Sequence, residues 1–248
     1  MEAIKTINLT KKYKDIIAVN NLNLTINKGE LFALLGVNGA GKSTTIKMLS
    51  TLTKPTSGEA IVGGFSVVSK PTQVKSIISV SPQETAIAAN LTVKENLELI
   101  CGIYDFDKEK KETKIKELSN KFNLSNMLNK KVSKLSGGYK RRLSIAMALI
   151  SEPKILFLDE PTLGLDVIAR SELWNIINSL KGEVTILLTT HYMEEAETLS
   201  DRVGIMKNGK LLVVDTIDNL MKLTNTNKFE QAFIHIVRGE DNENNNIC

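Results

Sequence analysis

The stretch that most restricts this chain is Leu31-Phe32-Ala33-Leu34-Leu35 running directly into Gly36-Val37-Asn38-Gly39-Ala40-Gly41-Lys42-Ser43. Five apolar residues suit a short strand covered on both faces, and Thr44 to Ser50 beyond the glycines is compatible with a helix. G-x-x-x-x-G-K-S between a strand and a helix reads as a phosphate loop. Glycines let the backbone wrap closely, so that successive N–H groups point at a β-phosphate while the helix N-terminus adds its positive dipole end. Lys42 supplies a point charge between the β- and γ-phosphates. The Ser43 hydroxyl suits Mg2+, a hard cation that takes few protein ligands, and Thr44 is placed to bond an α-phosphate. Gly36, Asn38, Gly39, Ala40, Gly41, Lys42, Ser43 and Thr44 are therefore the expected nucleotide contacts.

Phosphoryl transfer to water needs charge neutralisation and a group that orients and deprotonates the water. Ile155-Leu156-Phe157-Leu158-Asp159-Glu160 offers both. The apolar residues predict a buried strand, with Asp159 at its carboxyl end to reach Mg2+, where ligands bind in open α/β sheets, and Glu160 as general base. His191 follows another apolar strand, Val184 to Thr189, and is expected at the same sheet edge, within hydrogen-bond reach of a γ-phosphate.

The 248 residues, 42% of them hydrophobic, are enough for one α/β domain with a smaller attached lobe. Net charge is +4, but the lysines are interspersed with 28 acidic residues. Nothing gathers into a block that would track a phosphate backbone, so no nucleic-acid partner is expected. Cys101 and Cys248 suggest neither a disulfide framework nor a zinc site, which fits a reducing cytoplasm. Met1 to Lys14 alternates like a strand and lacks a secretion signal's apolar centre, and no apolar run nears the roughly 18 residues of a spanning helix. A soluble chain is expected, whose membrane role would need a partner. Between Leu91 and Ser133 the pattern turns amphipathic-helical, with Val93, Leu97 and Ile100 on one face. The Lys108 to Lys116 charge run reads as solvated surface. Asn208-Gly209 predicts a hairpin turn before a strand at Lys210 to Val214. Residues 1–238 read as a single domain, and the Asn- and acid-rich segment 239–248 reads as a frayed, disordered tail.

Leu135-Ser136-Gly137-Gly138-Tyr139-Lys140-Arg141-Arg142 places a second glycine pair before a second helix, which the phosphate loop does not explain. It resembles the LSGGQ signature of the ATP-binding cassette (ABC) family, and from Thr6 to about Val214 the other family elements follow in order. The resemblance implies a nucleotide-binding subunit that uses ATP and Mg2+ and works as a homodimer or beside a paired nucleotide-binding domain. Two domains face head to tail, Ser136, Gly137 and Gly138 of one capping the γ-phosphate held by the other. Tyr13 resembles the aromatic that stacks on adenine. Gln83 resembles the Q-loop glutamine that touches Mg2+ or the attacking water, Asp166 the D-loop aspartate that crosses the dimer, and His191 the switch histidine. The implied fold is α/β: a P-loop NTPase core with a parallel sheet, an N-terminal antiparallel β portion and an inserted α-helical lobe at about 83–151.

Position 139 is Tyr where the family has Gln, which puts any side-chain role there in doubt. Pro161-Thr162-Leu163-Gly164-Leu165-Asp166, Arg141-Arg142 and Phe229 to Phe233 resemble the bacterial drug- and sodium-export (ABC-2 type) branch. The expected role is hydrolysis of ATP to energise transport, export rather than import, through a separate transmembrane permease at the cytoplasmic face of the membrane. Motor chemistry does not name its load. Soluble ABC ATPases acting on DNA or ribosomes are the rival class, but the long coiled-coil insertion or second cassette they carry is not seen in this sequence.

Overall fold

The computed structural model describes residues 1–245, with side chains through Gly239. Two long strands, β1 (Glu2–Tyr13) and β2 (Ile16–Asn27), lead to β3 (Leu31–Leu35) and helix α1 (Lys42–Leu49). Then come β4 (Ser57–Val62), β5 (Phe65–Ser66), α2 (Pro71–Lys75) and β6 (Ile78–Ser81). The helices α3 (Val93–Ile103), α4 (Lys108–Lys121) and α5 (Gly137–Leu149) precede β7 (Ile155–Asp159), α6 (Val167–Asn178), β8 (Thr185–Thr190) and α7 (Met193–Leu199). The hairpin β9 (Arg202–Lys207) and β10 (Lys210–Asp215) is followed by α8 (Ile217–Leu223) and α9 (Phe229–Asn245).

Six strands form one sheet in the order β10-β9-β3-β8-β7-β6, parallel except for β10. The remaining four form an antiparallel sheet, β2-β1-β4-β5. The side-chain alternation of β3 explains how the layers stack. Phe32 and Leu34 join the core shared with the antiparallel sheet, whereas Leu31, Ala33 and Leu35 face the helices on the other side. A strand buried on both faces must read as continuously apolar, as Leu31–Leu35, Ile155–Leu158 and Ile186–Leu188 do.

The helices α3 to α5 form the lobe between β6 and β7. Thr92 and Glu95 close a capping box at the start of α3, and Asp107 caps α4. Cys101 is a buried, free thiol inside the lobe, and Cys248 lies outside the described residues. Of the segment 239–248, α9 takes in the backbone to Asn245, and residues 246–248 lie outside those described. Phe229, Ala232 and Phe233 anchor the start of this helix in the core.

Candidate functional site

The loop after β3 wraps because two of its glycines have no room for a side chain. A β-carbon on Gly36 would lie 2.4 Å from the Met206 carbonyl oxygen, and one on Gly41 would lie 2.4 Å from that of Ala18. Gly41 also has φ +104°, a left-handed conformation, and it opens α1 with no side-chain cap. The loop is tied to its neighbours through Gly209 N–H to Ala40 O (3.0 Å) and Asn20 N–H to Gly209 O (2.8 Å). It walls a cavity of about 400 Å³, lined by Asn38 through Thr44 together with Ala18, Gln83, Glu160, Leu163 and His191.

Lys42 is 4% exposed and donates to the loop carbonyls of Gly36 (2.7 Å) and Val37 (3.2 Å). Its Nζ stands 3.5 Å from Glu160 Oε1. Burial lowers its pKa, an effect opposed by Glu160 and Asp159, so the fold holds an under-compensated cation at the cavity floor. Ser43 donates to Asp159 Oδ1 at 3.0 Å, and the same oxygen accepts from Thr189 at 2.5 Å. This juxtaposes a hydroxyl and a carboxylate, hard oxygen donors of the type Mg2+ accepts, and so fits that ion. Among the described residues no group of three or more His, Cys, Asp or Glu gathers to hold a metal, so a hydroxyl, a carboxylate and water would make up the shell.

Glu160 follows β7 in a left-handed conformation, φ +48°, and its N–H reaches Thr189 O at 3.1 Å. His191 Nδ1 lies 2.9 Å from Glu160 Oε2, an ion-pair distance without hydrogen-bond alignment. Thus Lys42, Ser43, Asp159, Glu160 and His191, drawn from three strand ends, meet at one place. Gln83, in the loop after β6, joins them in lining the cavity, and its backbone oxygen accepts from Arg141 Nη2 (2.6 Å). Arg141 also donates to Pro82 O at 2.7 Å.

The other expected contacts lie apart from this cluster within one chain. Tyr13 ends β1, 45% exposed, with Lys11 Nζ 4.9 Å from its ring centre, and does not line the cavity. Ser136, Gly137 and Gly138 begin α5, where Ser136 makes no side-chain cap and leaves the first-turn amides open. Asp166 caps α6 through Ala169 N–H at 2.9 Å. Tyr139 packs on the lobe's core, with the Arg142 guanidinium 5.1 Å from its ring centre. Arg141 and the buried Glu195 were not expected as site-shaping groups. Arg141 was legible only as one residue of a basic pair, and a carboxylate within a charged helix gives no signal of burial.

Strand order, phosphate-loop geometry and the carboxylate–histidine cluster define a nucleotide-binding α/β ATPase of the ATP-binding cassette kind. Residues 19–163 match the family model described as ABC transporter, and the chain belongs to that family of ATP-binding proteins. It is 40% identical over 245 residues to the "Probable multidrug ABC transporter ATP-binding protein YbhF" of Escherichia coli, covering 96% of this chain and 42% of that one. It is 38% identical over 226 residues to the daunorubicin/doxorubicin resistance ATP-binding protein DrrA of Streptomyces peucetius, covering 91% of this chain and 68% of that one. The chain thus spans less than half the length of the first of these relatives. Among solved structures, an ATP-binding subunit of an ABC transporter superposes with TM-score 0.84 at 27% identity, over 95% of this chain and 99% of that one. The dimeric post-hydrolysis state of the cassette MJ0796, bound to ADP and Pi, gives 0.77 at 28% identity, over 86% and 98%.

Proposed function

We propose that this chain hydrolyses ATP in composite sites between two facing copies and thereby drives export through a separate transmembrane permease. The observation that carries this reading is the division of the parts within one chain. The cluster of Lys42, Ser43, Asp159, Glu160 and His191 lines or borders one cavity, while the open amides at Gly137 and Gly138 lie elsewhere. A helix N-terminus without a cap is an anion site, and a second copy would bring it to the γ-phosphate.

In that arrangement the Gly36–Thr44 loop and Lys42 hold the phosphates, and Tyr13 stacks on the adenine. Glu160 accepts a proton from the attacking water, with His191 and Gln83 orienting the water and the γ-phosphate. Ser43 and Asp159, with Gln83, would hold Mg2+, which when bound neutralises phosphate charge. Asp166 sits where a facing copy would approach. Closure on ATP and reopening after hydrolysis would move the helical lobes against the permease.

Among the described residues no helix is long and apolar enough to cross a membrane. In the proposed arrangement a separate permease supplies the transmembrane path and this chain works at the cytoplasmic face. The drug-resistance relatives favour the ABC-2 type export branch. The test is affinity purification of a tagged Glu160→Gln chain from native membranes in mild detergent with Mg-ATP. Co-purification of a polytopic membrane protein is expected; recovery of ribosomes, DNA or no membrane protein would overturn the transport role while leaving the ATPase.

A further inference from the structure

We propose that Glu195 is a positioning residue for hydrolysis, its carboxyl holding the turn that carries Glu160 and the turn that carries His191 in one register. The inference rests on the reading of Glu160 and His191 as the reactive pair. Glu195 lies in the first turn of α7, four residues beyond His191, and its side chain is fully buried. Its Oε1 accepts from Thr162 Oγ1 at 2.8 Å and from Trp174 Nε1 at 3.1 Å. Thr162, itself 0% exposed, is two residues beyond Glu160. One carboxyl therefore bridges the loops bearing both reactive groups, and Trp174 of α6 fixes it from behind.

The Glu160 turn needs such an anchor. Glu160 is left-handed, a conformation that a β-carbon disfavours, and a residue preceding proline is pushed toward extended geometry. Such a backbone persists only where the surroundings over-determine it. Here the holding contacts are Glu160 N–H to Thr189 O (3.1 Å), Leu163 N–H to Glu160 O (3.2 Å) and the Thr162 bond to Glu195. On the His191 side, Tyr192 N–H donates to Thr190 Oγ1 at 2.9 Å, and the Thr190 hydroxyl lies against the Glu195 carboxyl. Glu195 Oε2 is buried without an aligned hydrogen bond, with the charge of Arg170 nearby. An apolar side chain would fill this space more cheaply, so a buried carboxyl here points to what its oxygens hold.

The test is steady-state ATPase of the purified full chain, normalised to nucleotide sites titrated with a fluorescent ATP analogue. Thr162→Val, nearly isosteric, and Glu195→Ala should each lower kcat by roughly tenfold or more with KM for ATP within about threefold, the pattern of lost transition-state alignment. Glu195→Gln keeps the Oε1 acceptor and should hold kcat within about threefold of the parent. An unchanged kcat in Thr162→Val, or a loss that disappears on normalisation, would overturn the proposal. If Glu195→Ala does not fold, Thr162→Val decides alone. Glu160→Gln assayed in parallel separates the two readings: its turnover reports on the base, that of Thr162→Val on the anchor.

Discussion

Replacing Glu160 by glutamine changes one charge and almost no volume, and the geometry around it gives the size of two opposite effects. Glu160 Oε1 is 3.5 Å from Lys42 Nζ, and both groups are largely buried. At an effective dielectric constant of about 20, that attraction is on the order of 4–5 kcal/mol before desolvation is subtracted. The carboxylate thus competes with a triphosphate for Lys42 and repels it as well. Removing the charge should tighten ATP binding by about tenfold or more, even if only a third of the Coulomb energy survives. The same change removes the proton acceptor, whose contribution is typically about 10²- to 10⁴-fold in rate. Single-turnover hydrolysis of γ-labelled ATP, with size-exclusion chromatography for the dimer, reads both effects. Tight nucleotide binding, ATP-dependent dimers and turnover slowed by at least about 100-fold are expected. Turnover within about tenfold of the parent would refute the role of Glu160 and show that another group positions the water.

Lys42→Ala removes the buried cation proposed to meet the phosphates and should abolish measurable ATP binding in equilibrium titration; unchanged affinity would remove the phosphate-loop assignment. Gly36→Ala places a methyl 2.4 Å from the Met206 carbonyl oxygen, and backbone cannot yield as a flexible side chain would. A cost of about 1–3 kcal/mol at about 2–4 °C per kcal/mol predicts a Tm lower by roughly 2–12 °C in calorimetry. For Glu195, burial raises the carboxyl above its ordinary 4.5, against the hydrogen bonds from Thr190, Thr162 and Trp174 and the charge of Arg170, so the fold favours the protonated form. That contribution is fully present below pH 4.5 and is lost as pH rises through the raised value. Glu195→Gln has no such loss, and its Tm relative to the parent should be more favourable at pH 8 than at pH 5; a constant difference would show that Glu195 does not titrate differently in the fold.

The sequence by itself determined the parts whose physics is local. A phosphate loop depends on glycines at fixed spacing between a strand and a helix. The apolar run ending in Asp159-Glu160 marks a buried strand with its chemistry at the carboxyl end, and Ser136-Gly137-Gly138 marks an uncapped helix start. Each lies within a few consecutive residues, so spacing and residue type suffice. Only the tertiary structure decided how these parts are held. Arg141 donates to backbone oxygens 59 and 58 residues away, and carbonyls carry no residue identity for a sequence to display. Thr162 meets Glu195 across 33 residues, and nothing in a charged helix distinguishes a carboxylate that will be fully buried from one left in water. The left-handed turn at Glu160, at a residue that does not favour it, also follows from surrounding contacts rather than local preference. Local chemistry fixed which groups are candidates for the reaction; long-range burial fixed the geometry that brings them together.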